Sequence, residues 1–163
     1  MLHVDRFEAA FMRLAVLMLL AFAGALLIAV FGMGVHLPHI VEPIAPAEVD
    51  TTAGFDNPGL RMIYPGRYEA YIVVQAWQFT PSEITVPVGS QVTFFLASKD
   101  IIHGFKIEDT NVNIMVIPGQ ISEVTATFDK PGTYLFVCHE YCGALHHIMS
   151  GQITVTEEPT NGS

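Results

Sequence analysis

The sequence predicts an all-β domain, a Greek-key β-sandwich or small barrel, preceded by one membrane-spanning helix. Three observations predict it. From about Tyr68 onward, short runs alternate apolar and polar residues, the period of two expected of half-buried strands. Turn signals separate the runs at Lys99-Asp100, Asp109-Thr110-Asn111, Pro118-Gly119 and Asp129-Lys130-Pro131-Gly132. Ahead of them, Leu14 to Val35 is a stretch of 22 residues without one charge.

The apolar stretch 14–35 reads as a transmembrane helix. At about 1.5 Å per residue it covers roughly 33 Å, more than a hydrocarbon core of about 30 Å. Met33-Gly34-Val35-His36-Leu37 offers no small-x-small cleavage site, so a retained anchor fits better than a removed signal peptide. Arg6 and Arg13 precede the stretch and the next basic residue is Arg61. The positive-inside rule therefore puts residues 1–13 in the cytoplasm and the rest on the periplasmic or extracellular side of the cell membrane. Residues 36–67 contain five of the ten prolines and read as an extended linker laid along another subunit.

Residues 68–157 carry the strand pattern. Tyr71-Ile72-Val73-Val74 is one short apolar run, and Ile84-Thr85-Val86 runs into a turn at Pro87-Val88-Gly89. Val92, Phe94 and Leu96 alternate with Thr93 and Phe95, and Val124, Ala126 and Phe128 with Glu123, Thr125 and Thr127. Tyr134 to Val137 and Gln152 to Thr156 complete the set, and 158–163 form a tail. Hydrophobic residues make up 51% of the chain and charged residues 14%, which excludes disorder over most of it. A net charge of -9 argues against nucleic acid, whose phosphates need a basic surface. After residue 35, fourteen acidic side chains face five basic ones, an excess that fits a basic partner.

The densest chemistry is Cys138-His139-Glu140-Tyr141-Cys142-Gly143-Ala144-Leu145-His146-His147-Ile148-Met149. Two thiols, three imidazoles and a thioether fall between a strand ending at Val137 and one beginning near Gln152. Thiolate and thioether are soft ligands and imidazole is borderline, so copper or zinc is favoured over magnesium or calcium. A closed structural zinc site has no place for Met149. Thioether beside thiolate and imidazole points to a copper electron-transfer site. One thiolate would make it mononuclear, and two on one loop can bridge two ions. Asp100-Ile101-Ile102-His103-Gly104-Phe105 offers a second imidazole, His103, at a turn after another strand.

The loop resembles the Cys-x3-Cys-x3-His-x2-Met motif of the binuclear copper centre, CuA, of the cytochrome c oxidase subunit II family. Asp100 to Phe105 resembles that family's first-histidine motif, and Asp129 to Tyr134 and the last strand are also similar. The resemblance implies a cupredoxin-like fold over 68–157. One transmembrane helix resembles the B-type (ba-type) branch of haem–copper oxygen reductases. The implied ligands of two copper ions are Cys138 and Cys142 as bridging thiolates, His103 and His146 with one ion each, and Met149 and the backbone carbonyl of Glu140 as weak axial ligands. The Glu140 carboxylate would reach a non-redox Mg²⁺ or Mn²⁺ at the boundary with subunit I, although B-type members often lack an acid there. Trp77 resembles the family's electron-entry aromatic, with core packing as the alternative for it. His139 and His147 are expected at the surface or an interface, and Met115 in the core.

The resemblance implies the electron-entry subunit of an oxidoreductase. Electrons from cytochrome c or an equivalent soluble donor would enter at CuA and pass to haem in subunit I. There O2 becomes water with proton translocation, in a complex that also holds small accessory subunits. Leu14 to Val35 contains no histidine, so this chain cannot hold those haems. The competing reading is a membrane-tethered copper-binding protein or metallochaperone with the same soft ligands.

Overall fold

The computed structural model describes residues 5–33 and 39–157. They fall into two units, divided between Leu37 and Pro38.

In the first unit, helix α1 (Arg6–Leu27) continues into a π-helical turn, Ile28–Gly32. Asp5 caps it: its Oδ1 accepts from the Phe7 amide at 2.8 Å, satisfying one of the amides that a helix start leaves without a partner. The helix is long and apolar enough to cross a membrane over Arg6–Gly32. It begins eight residues before the uncharged stretch, because Arg6, Glu8 and Arg13 are compatible with helix even where they are incompatible with lipid.

The second unit is a sandwich of two sheets. Its strands are β1 (His39–Pro43), β2 (Gly59–Tyr64), β3 (Arg67–Gln75), β4 (Gln78–Thr80), β5 (Glu83–Pro87), β6 (Ser90–Ser98), β7 (His103–Ile107), β8 (Asn113–Val116), β9 (Gln120–Phe128), β10 (Gly132–Val137) and β11 (Ser150–Thr156). One sheet has the order β1-β9-β6-β3-β2, with β4 beside β3, and the other β5-β11-β10-β7-β8. The β3–β6 and β5–β11 pairs are parallel. The fold is cupredoxin-like, with one apolar helix at the N-terminus.

Alternation along the strands decides which side chains enter the core. On β6, Val92, Phe94 and Leu96 are fully buried while Thr93 and Phe95 face the other side. Phe105 packs against Phe79, Phe94 and Phe136 with ring centroids 5.2–5.7 Å apart, spacings at which aromatic pairs attract. Met115 departs from its expected core position. Ile114 and Val116 point inward on β8, so the residue between them points out.

The expected extended linker is corrected. His36 and His39, expected at an interface just past the apolar stretch, fall outside what is described, the first entirely and the second in its side chain. From His39 onward, however, the chain forms β1, a 3-10 turn (Pro46–Thr51) and β2. Ile44, Val49 and Phe55 form a second apolar cluster with Val73, Ala97 and Ile121 on the outer face of the first sheet. The segment lies along its own domain. β1 and β2 are the two edge strands, where proline and glycine cost least. Composition therefore concealed them.

Candidate metal centre

One end of the sandwich is built from three connections: the turn between β3 and β4, the turn between β6 and β7, and the long loop between β10 and β11. The long loop is closed at its base, where the Cys138 amide donates to the Met149 carbonyl at 3.1 Å. The Val137–Ser150 pair of the sheet lies just outside it. A short 3-10 turn, His146–Ile148, returns the chain. Both ends of the loop are thus held by strands, which presets where its side chains point.

Those side chains converge. Cys138 and Cys142 are buried free thiols with Sγ atoms 3.8 Å apart, beyond the length of a disulfide bond. His103, at the first residue of β7 and fully buried, places Nδ1 3.9 Å from Cys138 Sγ. His146 places Nδ1 3.5 Å from Cys142 Sγ. Met149 Sδ lies 3.6 Å from Cys142 Sγ, and the Glu140 carbonyl accepts from the Cys138 thiol at 3.2 Å. The ligating atoms of His103, Cys138 and Cys142 lie within 4.8 Å of one another. All six groups expected around the metal are brought to one place. His147 and His139 are exposed and stand apart. His139 lays its ring over Gly104, with Nε2 3.2 Å from the Ile114 carbonyl.

The donor set fits copper. Two soft sulfurs, a thioether and two imidazoles with ring nitrogens turned inward suit a soft or borderline cation, with the Glu140 carbonyl as a hard group beside them. Burial, together with the neighbouring Cys138 thiol, pushes the Cys142 thiol up to about 11. At neutral pH that thiol holds its proton, and a cation binding there would have to displace it.

Gly104, Gly143 and Asp100, also at this end, had no role assigned from the sequence. Gly104 donates its amide to Cys138 Sγ at 3.5 Å, and a Cβ there would lie 2.6 Å from the His139 ring. Gly143 has φ +113°, and a Cβ there would meet the Trp77 indole at 3.0 Å. The positive φ favours glycine at 143, and a side chain at 104 would force the His139 ring to move. Trp77 is 38% exposed and not a core residue. Its Nε1 donates to the Cys142 carbonyl at 2.9 Å. Burial works to raise the Asp100 carboxyl, but the Ala76 amide, the His103 ring and the Ile101 amide outweigh it and hold it below its ordinary range. Only the Asp-x-x-His spacing hinted at Asp100.

Around this end the surface is apolar. Ile101, Ile102, Tyr141, Leu145 and Ile148 are all exposed. An open groove runs between Ile101, Ile102, Met115, Pro118, Glu140 and Tyr141.

Known proteins are similar to this chain in sequence and fold. Residues 70–156 match the family described as cytochrome c oxidase subunit II, periplasmic domain. A cytochrome c oxidase subunit 2 of Thermus thermophilus is 37% identical over 119 residues, which are 72% of this chain and 88% of that one. A chain from the cryo-EM structure of a haem–copper terminal oxidase dimer superposes with a TM-score of 0.77 at 36% identity, covering 93% of this chain and 100% of that one. The periplasmic domain of a Bradyrhizobium japonicum cytochrome oxidase subunit II shares the fold, with a TM-score of 0.51 at 23% identity over 55% of this chain and 84% of that one.

Proposed function

Because the chain belongs to the cytochrome c oxidase subunit II family, and so is a subunit of a haem–copper terminal oxidase, we propose that it is the electron-entry subunit of that oxidoreductase. A soluble cytochrome c, or an equivalent donor, docks on the domain. Its electrons pass to haem in subunit I, where O2 is reduced to water with proton translocation. The observation that carries this reading is the burial of two free thiols within 4 Å of two imidazoles and a thioether at one end of a rigid sandwich.

Cys138 and Cys142 would hold two copper ions between them as thiolates. His103 and His146 would each hold one ion through the ring nitrogen facing the sulfurs. Met149 Sδ and the Glu140 carbonyl, beside the thiols, would add two weaker ligands. When bound, the two-copper group supplies a redox unit that takes and gives single electrons with little change of shape. The chain's own part is to hold six ligands on strands and a closed loop, and to keep water from the buried sulfurs. A preset, dry site limits how far the ligands move when the charge changes.

The remaining readings rest on particular residues. Trp77, half exposed and bonded to the Cys142 carbonyl, is the entry point for the electron. The exposed apolar side chains around the site support docking of subunit I, the donor and small accessory subunits. The Glu140 carboxylate reaches a non-redox Mg²⁺ or Mn²⁺ at the boundary with subunit I, supported by its place at the rim of the groove. One apolar helix among the described residues supports the B-type branch. Arg6 and Arg13 support a cytoplasmic N-terminus, with the domain on the outer face of the plasma membrane.

Copper counting and electron paramagnetic resonance on the intact complex test the reading. Two copper ions sharing one unpaired electron are expected. A single copper ion that a chelator removes would favour a tethered metallochaperone instead.

A further inference from the structure

We infer that Asp100 is a positioning residue that sets two parts of this centre at once: the orientation of the His103 ring and the turn that carries Trp77. The inference rests on the metal centre proposed above.

The Asp100 carboxylate is fully engaged although its side chain is 35% exposed. Oδ1 accepts from the Ile101 amide at 2.7 Å and faces His103 Nε2 at 2.8 Å. Oδ2 accepts from the Ala76 amide at 2.6 Å, from a turn 24 residues away in sequence. The turn is braced by buried Ser98, whose hydroxyl donates to the Ile101 carbonyl at 2.6 Å and accepts from the Asp100 amide at 3.3 Å.

The chemistry of the groups then dictates the rest. An ionised carboxylate can only accept, so the hydrogen of the His103 ring must sit on Nε2. That leaves Nδ1 as the lone pair facing Cys138 Sγ. His103 is fully buried, so solvent does not compete for the ring, and the carboxylate at 2.8 Å is a far stronger partner than the Cys138 sulfur at 3.9 Å. A partner of this kind also raises the basicity of a ligating imidazole. The second oxygen acts elsewhere. It pins the amide of Ala76, the residue before Trp77, while Trp77 Nε1 reaches the Cys142 carbonyl. One side chain therefore spans the β6–β7 turn and the β3–β4 turn, and through Trp77 it steadies the β10–β11 loop.

Trp77 is the only tryptophan in the chain, so its fluorescence reports on that turn alone. The test uses the full-length chain without copper, and the copper-loaded complex, each with Asp100→Asn and Asp100→Ala. In the copper-free wild type, nitrogen-15 resonances of His103 should show a protonated Nε2 and a bare Nδ1. In Asp100→Ala the two tautomers should mix, and the Trp77 emission should move to longer wavelength with greater quenching by acrylamide. Asp100→Asn is nearly isosteric and should fold as the wild type does. In the complex it should keep two copper ions but raise the reduction potential, because a negative charge beside the ligand is lost. A wild-type His103 tautomer in Asp100→Ala, or an unchanged Trp77 signal, would overturn the dual role. A wild-type complex without two copper ions would instead sink the metal assignment, and the copper-free measurements would still decide the role of Asp100.

Discussion

The indole of Trp77 is joined to the carbonyl of Cys142 by a hydrogen bond of 2.9 Å, across 65 residues of sequence. A half-exposed ring is thereby in through-bond contact with the backbone of a residue whose thiol is buried among the candidate ligands. A partner touching that face of Trp77 is separated from the sulfur by one hydrogen bond and a few covalent bonds.

If the centre holds two copper ions as proposed, replacing either thiol should destroy it. Cys138→Ser and Cys142→Ser are each expected to lose the shared-spin resonance, because a hydroxyl is a poor bridging ligand for a soft cation. Met149→Leu should keep both ions and change the reduction potential. A wild-type resonance in either serine variant would contradict the bridging assignment.

Glu140→Gln keeps the backbone carbonyl and removes the charge. Copper content is expected to hold, while Mg or Mn bound to the intact complex falls, since a hard cation prefers a carboxylate. Elemental analysis of the purified complex reads both quantities, and an unchanged Mg and Mn content would reject this role for the side chain.

Gly143→Ala should destabilise the domain by about 1–3 kcal/mol. The backbone there has φ +113°, and the added Cβ would sit 3.0 Å from Trp77 Nε1. Denaturant unfolding gives the loss, and Trp77 emission shows whether the indole has moved.

Tyr71 gives a prediction at high pH, away from the metal. Burial, and then the hydrogen bond to Glu69, raise its phenol above the ordinary 10.0. The neutral ring is thus favoured by the fold. Its contribution to stability is complete below pH 10 and is lost as the pH climbs through the raised value. Absorbance titration of phenolate should show one tyrosine ionising late, and Tyr71→Phe should remove that phase.

Electron transfer from a basic donor should slow as salt is added. Fourteen carboxylates against five basic side chains after residue 35 create an attraction that ions screen over about 10 Å at 0.1 M. Stopped-flow rates that do not depend on ionic strength would remove steering from the account and leave docking to the apolar rim.

Much of the domain was readable in advance, and the failures have physical causes. Strands such as β6 and β9 alternate cleanly because one face is buried, so period two is written into Val92, Phe94 and Leu96. β7 was hidden because His103, Gly104 and Phe105 are all buried, which erases alternation. β1 and β2 were hidden by the prolines and glycines that edge strands tolerate. Met115 was misplaced because its run is short and apolar, and only pairing with β7 determines which neighbour faces inward. At the site, the loop from Cys138 to Met149 named five of the expected ligands, since they lie close together in sequence. Trp77, Asp100 and Gly104 are distant from that loop, and their partners depend on how the turns meet.

The order of amino acids by itself determined the kinds of ligand, their spacing along one loop, the apolar helix and the two-residue rhythm of the sandwich. These are local properties, set by side-chain chemistry and by the period of the backbone. Tertiary structure alone decided that the segment from His39 to Tyr64 covers its own sheet, that His103 presents Nδ1 to Cys138, and that Asp100 ties that ring to the turn bearing Trp77. Each of these joins residues from separate strands or turns, and such distances are set only when the two sheets close on a common core.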